Sequence, residues 1–192
     1  ILYEKKKYFR LMLCPVMKQG VVTVKDGMRE ISMEAFCDCK YVTEVRLPES
    51  LWSIGSNTFE GCSALEKIEL PDLIEEVGIR VFKDCTALKS VKLSSKLTKI
   101  EKEAFAGCKD LENIVIPQGV TRIDNGAFKE CDNLQYVIIP ESVKYIGTDV
   151  FYTNQWVRDL LVYCKAGSYA ESYAKENNIF YVNGDTAKKR QT

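Results

Sequence analysis

The chain has 192 residues, and its 27 basic and 27 acidic side chains cancel to a formal net charge of zero. No field of one sign is available to draw in nucleic acid or an anionic membrane surface. Histidine is absent, which removes the commonest general base and the commonest nitrogen ligand for metals, and no apolar run is long enough to span a bilayer as a helix.

Residues 1–21 read as a β-hairpin or partial repeat. ILYE and YFRLMLC are apolar-rich strands, and Lys5, Lys6 and Lys7 make a charged turn between them. Pro15 and Gly20 punctuate the exit. The opening lacks the charged-then-apolar order of a secretory leader and starts at Ile1 rather than Met, so the chain is expected to be a piece of a longer protein.

From Val22 a period of 23 sets in, and the repeat array is expected to run over 22–167. Phe36, Phe59, Phe82, Phe105, Phe128 and Phe151 recur at this spacing without a gap. Cys39, Cys62, Cys85, Cys108 and Cys131 each follow a Phe by three. Pro48, Pro71, Pro117 and Pro140 share a third column, with Ser94 in the missing place, and Ile31, Ile54, Val77, Ile100, Ile123 and Ile146 make a fourth. Self-similarity at a fixed period of this length is the signature of a solenoid, a single elongated domain with a continuous core.

Within a coil, Leu65 leads into Lys67-Ile68-Glu69-Leu70, whose alternation marks a half-buried strand. Pro71 ends it, because proline cannot donate to a ladder. Ile74 and Val77 are the next inward positions, Gly55 or Gly78 permits a tight bend, and the run to Phe59 and Cys62 has near-helical spacing over a turn or two. Each coil is therefore expected to be a strand, a corner, a second extended piece and a compact helical or 3₁₀ segment. The fold class that follows is an α/β repeat solenoid, with parallel strands on one face and short helical turns on the other. Ordering a residue costs ~1–2 kcal/mol of backbone entropy and burying a Phe returns about 1.5–3 kcal/mol, so a single coil loses and only a stack that shares its core is stable.

The coil from Ile146 departs from the pattern, as terminal repeats do. Asn154 stands at the Cys place, Val157 at the Leu place and Tyr163 at the Pro place. Residues 168–183 are expected to cap the array. Ser168 N-caps a short helix; Tyr169, Ala170, Tyr173 and Ala174 form its inward stripe, while Glu171, Lys175 and Glu176 face water. Asn177-Asn178 ends the helix, and Ile179 to Val182 adds a last strand. Residues 184–192 have nothing to bury and are expected to be disordered.

The pattern L-x-x-V-x-L-P-x-x-V-x-x-I-G-x-x-A-F-x-x-C, carried from about Val22 to Phe151, resembles the BspA-like class of leucine-rich repeats. GSYAESYAKENNIFYV resembles the closing segment of that family, and ILYEKKKYFRLMLCP resembles the hairpin inserted between its blocks of repeats. The resemblance implies a curved solenoid with parallel strands lining one face. It also implies an extracellular or cell-surface location and a role in adhesion to host or neighbouring cells.

The Cys column offers one thiol per coil, all pointing the same way, whereas metal ligands converge from different directions. An odd number cannot pair fully into disulfides, and a ladder of small buried hydrophobes is the expected state. Cys37, in a C-x-C pair with Cys39, is the least explained, and Cys14 and Cys164 lie outside the column. No metal and no cofactor are expected.

Residues between the inward positions of each strand point to solvent. One outward column reads Thr23, Arg46, Glu69, Lys92, Val115, Ile138, Leu161; its neighbour reads Val21, Glu44, Lys67, Ser90, Asn113, Tyr136, Asp159. Arg46, Glu69 and Lys92 alternate in sign and are expected to form a lateral ion-pair ladder. Val115, Ile138 and Leu161, with Tyr136 beside them, leave an outward apolar patch of the kind that marks interaction sites, unless the capping strand covers it. Trp52 stands in a column otherwise filled by Glu75, Thr98, Thr121 and Lys144 and is a second contact candidate. No nucleophile–base arrangement, phosphate-cradling loop or acidic metal cluster is present in the sequence. The expectation is a non-enzymatic module that binds a protein of the host matrix or of a neighbouring cell surface, without nucleic-acid binding or membrane insertion. The alternative is a passive spacer that holds another domain away from the surface.

Overall fold

Residues 1–4, 9–153 and 160–183 are described by a computed structural model. The Lys5–Lys7 turn, the Cys, Leu and Asp places at Asn154, Val157 and Asp159, and the tail at 184–192 lie outside the described residues.

Period-two alternation within a coil and a 23-residue step between coils produce a parallel-strand β-solenoid with three sides. Strands are numbered in chain order. The first side is built by β3 (Gln19–Thr23), β5 (Tyr41–Arg46), β7 (Lys67–Glu69), β9 (Ser90–Lys92), β11 (Asn113–Val115), β13 (Tyr136–Ile138) and β15 (Leu161–Cys164), and closed by β16 (Phe180–Asn183). The second side is built by two-residue strands: β4 (Glu30–Ile31), β6 (Ser53–Ile54), β8 (Glu76–Val77), β10 (Lys99–Ile100), β12 (Arg122–Ile123) and β14 (Tyr145–Ile146). Neighbours pair in parallel and in the register of the repeat, for example Asn113 with Tyr136 and Ile123 with Ile146.

The third side corrects the helical expectation: it is a run of turns, and the solenoid is a β rather than an α/β structure. Two residues in every full coil flank the Phe in the left-handed region, such as Asn57 and Gly61, Arg80 and Asp84, or Glu103 and Gly107. A left-handed residue every fourth position stops an α-helix from propagating. The backbone turns instead to its neighbour. The N–H groups of Asn57, Phe59 and Gly61 donate to the carbonyls of Ile79, Val81 and Lys83 in the next coil, at 2.9 Å in each case. This ladder repeats from coil to coil, so the side read as helical is hydrogen-bonded between coils just as the strands are.

The core runs unbroken through the stack. Phe36, Phe59, Phe82, Phe105 and Phe128 are fully buried, and successive rings from Phe36 to Phe151 stack with centroids 5.0 to 5.7 Å apart. Offset stacking adds about 0.5–1.5 kcal/mol per pair to the burial of each ring. Gly55 and Gly78 let the coils approach this closely: a Cβ on either would lie 2.4 or 2.2 Å from a backbone nitrogen of the preceding coil, at Met33 or Ser56.

The ladders of the first and second sides are interrupted at one place. The first side divides into a sheet β3-β5-β7-β9 and a sheet β11-β13-β15-β16, and β8 and β10 likewise do not pair with each other. The turn side continues across this seam, with Arg80, Phe82 and Asp84 donating to Lys102, Ala104 and Ala106. The rings of Phe82 and Phe105 stay stacked there but tilt by 21°, against 6° in the pairs on either side.

At the start, β1 (Leu2–Glu4) pairs antiparallel with β2 (Arg10–Leu13), and β2 pairs parallel with β4, Leu11 opposite Ile31. The second strand of the hairpin is thus the second-side strand of an incomplete coil. At the far end, α1 (Tyr169–Glu176) packs on the last coil through Ala170, Ala174 and Tyr173, the last set edge-on to Phe151 at 6.2 Å. Two expectations fail here. Tyr169 is exposed, and Glu171 is buried. Glu171 turns inward because Ser168 and Gly167 present unsatisfied groups at the helix start: the Ser168 hydroxyl accepts from Glu171 N–H at 3.3 Å, while the Glu171 carboxylate accepts from Gly167 N–H at 2.6 Å and from Asn183 Nδ2 at 3.0 Å.

Candidate functional site

The outward face of the first side is where the repeat leaves residues free to vary. Its register follows the predicted columns as far as β13. Val21, Glu44, Lys67 and Ser90 stand in one row, and Asn113 lies opposite Tyr136 and Val115 opposite Ile138.

Beyond β13 the structure corrects the reading. Leu161 pairs with Tyr136, and Tyr163 pairs with Ile138. The coil between β13 and β15 is two residues longer than the period. The row assigned to Val115, Ile138 and Leu161 is therefore Val115, Ile138, Tyr163 and Val182, and the adjacent row is Asn113, Tyr136, Leu161 and Phe180. Tyr163 does not take the Pro place. Leu161 stays on the same face as Val115, Tyr136 and Ile138, one row over.

The capping strand enlarges this surface rather than covering it. Val115 is 44 % and Phe180 67 % exposed, and Tyr136, Ile138, Leu161, Tyr163 and Val182 are half-buried. Tyr136 and Tyr163 meet edge to face at 5.9 Å with their planes at 90°. That contact orients both rings and leaves an apolar and aromatic band across four strands. The alternating residues Ile114, Val137 and Val162 point inward and are buried, so the band rests on a filled core. Tyr163 and Phe180 were missed by the column reading. The signal that could have found Tyr163 is the alternation of Leu161-Val162-Tyr163-Cys164, whose inward members must be Val162 and Cys164.

The other half of the same face is polar. Glu44, Arg46, Lys67, Glu69 and Lys92 line a shallow depression of about 320 Å³. The expected lateral ladder is replaced by a pair within one strand: Arg46 Nε donates to Glu44 Oε1 at 2.9 Å. That contact holds the Glu44 carboxyl below its ordinary range. Two residues apart on a strand, these side chains share a face, and the shorter reach wins over a partner on the next strand.

Trp52 is 45 % exposed but belongs to the second side, beside β6, where the Arg29 guanidinium lies 5.9 Å from its ring. The structure does not bring it to the apolar band.

The Cys column has a specific task. Cys62, Cys85, Cys108 and Cys131 are buried, and each thiol donates to the carbonyl of the Phe one coil earlier, from Phe36 to Phe105, at 3.1 Å. The same carbonyl also accepts the N–H of the Cys three residues on. Burial pushes these thiols well above their ordinary range, which fixes them as neutral donors. Among the described residues no three Cys, Asp or Glu side chains converge as metal ligands would, and no helix is long and apolar enough to cross a membrane.

Comparison with known proteins bears on this architecture. The model of the BspA-type leucine-rich repeat region matches residues 22–158 in six copies. No curated protein matches. Among solved structures, a leucine-rich repeat protein of T. pallidum is 23% identical, covers 84% of this chain and 83% of its own, and superposes with a TM-score of 0.67. A leucine-rich cell surface protein of Faecalibacterium prausnitzii is 20% identical, over 86% of this chain and 63% of its own, with a TM-score of 0.54. A leucine-rich repeat protein of Eubacterium ventriosum is 18% identical, over 77% of this chain and 48% of its own, with a TM-score of 0.61. These likenesses concern the fold. With six copies of the repeat over residues 22–158, the chain belongs to the BspA-type leucine-rich repeat family.

Proposed function

We propose that this chain is a non-enzymatic binding module of a bacterial cell-surface protein, and that it holds a protein of the host matrix or of a neighbouring cell through the C-terminal half of its first side. The observation that carries the reading is the band of Val115, Tyr136, Ile138, Leu161, Tyr163 and Phe180 on a face whose other half is charged. Apolar and aromatic residues adjoin across four strands here although the repeat pattern permits polar residues at these positions, and Tyr is enriched among residues that dominate interfaces. The surface location draws support from the family and from the described location of the F. prausnitzii neighbour.

The test is solid-phase binding of purified matrix proteins to the immobilised chain and to a variant carrying Tyr136→Asp and Ile138→Asp. Both positions are half-buried and outward, so the variant is expected to keep the strand-rich circular dichroism of the parent. A binding module loses at least about tenfold in affinity, which is the loss of one or two interface anchors. Equal behaviour of the two proteins would favour the passive spacer and remove this surface from consideration.

A further inference from the structure

The first coil carries a thiol where the others carry a ring. Cys14 N–H donates to the Ala35 carbonyl at 2.6 Å, the bond that Phe36 makes to Thr58 and Phe59 to Val81 in the coils that follow. Cys14 therefore occupies the Phe place of the incomplete coil. Cys39, the first member of the thiol ladder, finds no Phe carbonyl behind it. Its Sγ lies 3.7 Å from the Cys14 carbonyl and 3.8 Å from that of Pro15. The Sγ of Cys14 lies 3.8 Å from the same Pro15 carbonyl. Both buried thiols thus converge on one oxygen.

We propose that Cys14 and Cys39 form a disulfide that staples the incomplete first coil to the coil behind it. Within the regular column, thiols hang from equivalent positions one strand spacing apart, about 4.8 Å, which exceeds the Cβ separation of about 3.8 Å that a disulfide needs. Cys14 and Cys39 come from different positions on adjacent coils, so their side chains approach from two directions. The staple acts at the terminal, incomplete coil: β2 meets β4 at two residue pairs, and Leu13, Val16 and Met17 around it are exposed.

The reaction is thiol–disulfide exchange with a low-molecular-weight disulfide such as oxidised glutathione. The Cys14 thiolate attacks one glutathione sulfur, forming a mixed disulfide and releasing one glutathione thiol. The Cys39 thiolate then attacks the Cys14 sulfur and releases the second. Two protein thiols are oxidised by two electrons, and one glutathione disulfide is reduced to two thiols. Burial raises both protein thiols, Cys39 to about 12, so exchange proceeds while the N-terminal segment is detached from the array.

The experiment treats the full chain with excess glutathione disulfide at about pH 8, once as folded protein and once during refolding from denaturant, then blocks free thiols and maps the unreduced peptides. The expected result is a linked Cys14–Cys39 peptide pair, loss of two of the eight thiols, and a higher melting temperature that dithiothreitol reverses. Cys14→Ala should keep the same circular dichroism and show neither the link nor the shift. Eight free thiols after the refolding arm, a link through Cys37, or mixed disulfides alone would overturn the proposal.

Discussion

The two sheets of the first side share one core and differ in what they show to solvent. The sheet β3-β5-β7-β9 presents Arg46, Glu69, Lys92, Glu44 and Lys67; the sheet β11-β13-β15-β16 presents Val115, Ile138, Tyr163, Tyr136, Leu161 and Phe180. The chemical change falls at the seam where the strand ladders stop. Inside, nothing changes: the Phe stack and the thiol-to-carbonyl bonds continue on both sides. The difference teaches that stacking constrains the inward columns, because each residue must match its copies one coil away, while the outward rows answer only to solvent and partners.

The strongest way to break the comparison is to cut the shared core. Phe105→Ala removes a fully buried ring next to the seam and should cost about 3–5 kcal/mol. If the two sheets are one cooperative unit, amide protection in β5–β7 and in β13–β15 falls together in hydrogen exchange. Loss confined to β11–β16 would make them separate units.

A weaker cut tests whether the thiol ladder is equivalent in both halves. Cys85→Ala and Cys131→Ala each remove a buried thiol with the same bond at 3.1 Å, so denaturant midpoints should fall by similar amounts, worth about 1–3 kcal/mol. A large difference would show that the seam changes the packing of the column.

Acid sharpens the contrast, because a buried carboxylate ties together only the C-terminal end. Lys175, Gly167 N–H and Asn183 hold the Glu171 carboxyl at about 2 against an ordinary 4.5. A lowered folded value means that the contribution is complete above about pH 4.5 and is lost as pH falls towards 2. Protection of α1 and β16 should decline through that window, and Glu171→Gln should flatten the dependence while β5–β7 is unaffected. The smallest effect belongs to the polar half. Arg46→Ala breaks an exposed pair and should change stability by less than about 1 kcal/mol, with the difference shrinking further in added salt.

Much of this was legible in the sequence, and the failures have physical causes. The Phe, Cys and Ile columns gave the coil length and the core, because a buried position admits few residue types. The near-helical spacing of Phe and Cys points to a helix on the turn side, because it looks the same whether bonds run within a segment or between coils. The columns Glu34, Asn57, Arg80, Glu103, Gly126 and Asp38, Gly61, Asp84, Gly107 are all left-handed, and the Asp and Gly of the second column carry the contrary signal, since they are turn chemistry. The outward columns point to the apolar residues of this face but not to their register after β13, since two inserted residues shift a column without altering the alternation that follows. A helical stripe of Tyr and Ala places Glu171 in water because it ignores the needs of the helix start.

The seam also has a mechanical meaning. Pulled along its long axis, a stack of this kind gives way at the joint crossed by the fewest bonds, and here strand pairing lapses on two sides, between β8 and β10 and between β9 and β11, while the turn side and isolated bonds such as Thr98 N–H to Glu75 and Glu112 N–H to Lys89 bridge the gap. Under load the molecule should open there like a book on its spine, letting the charged leaf and the oily leaf swing apart before either one tears.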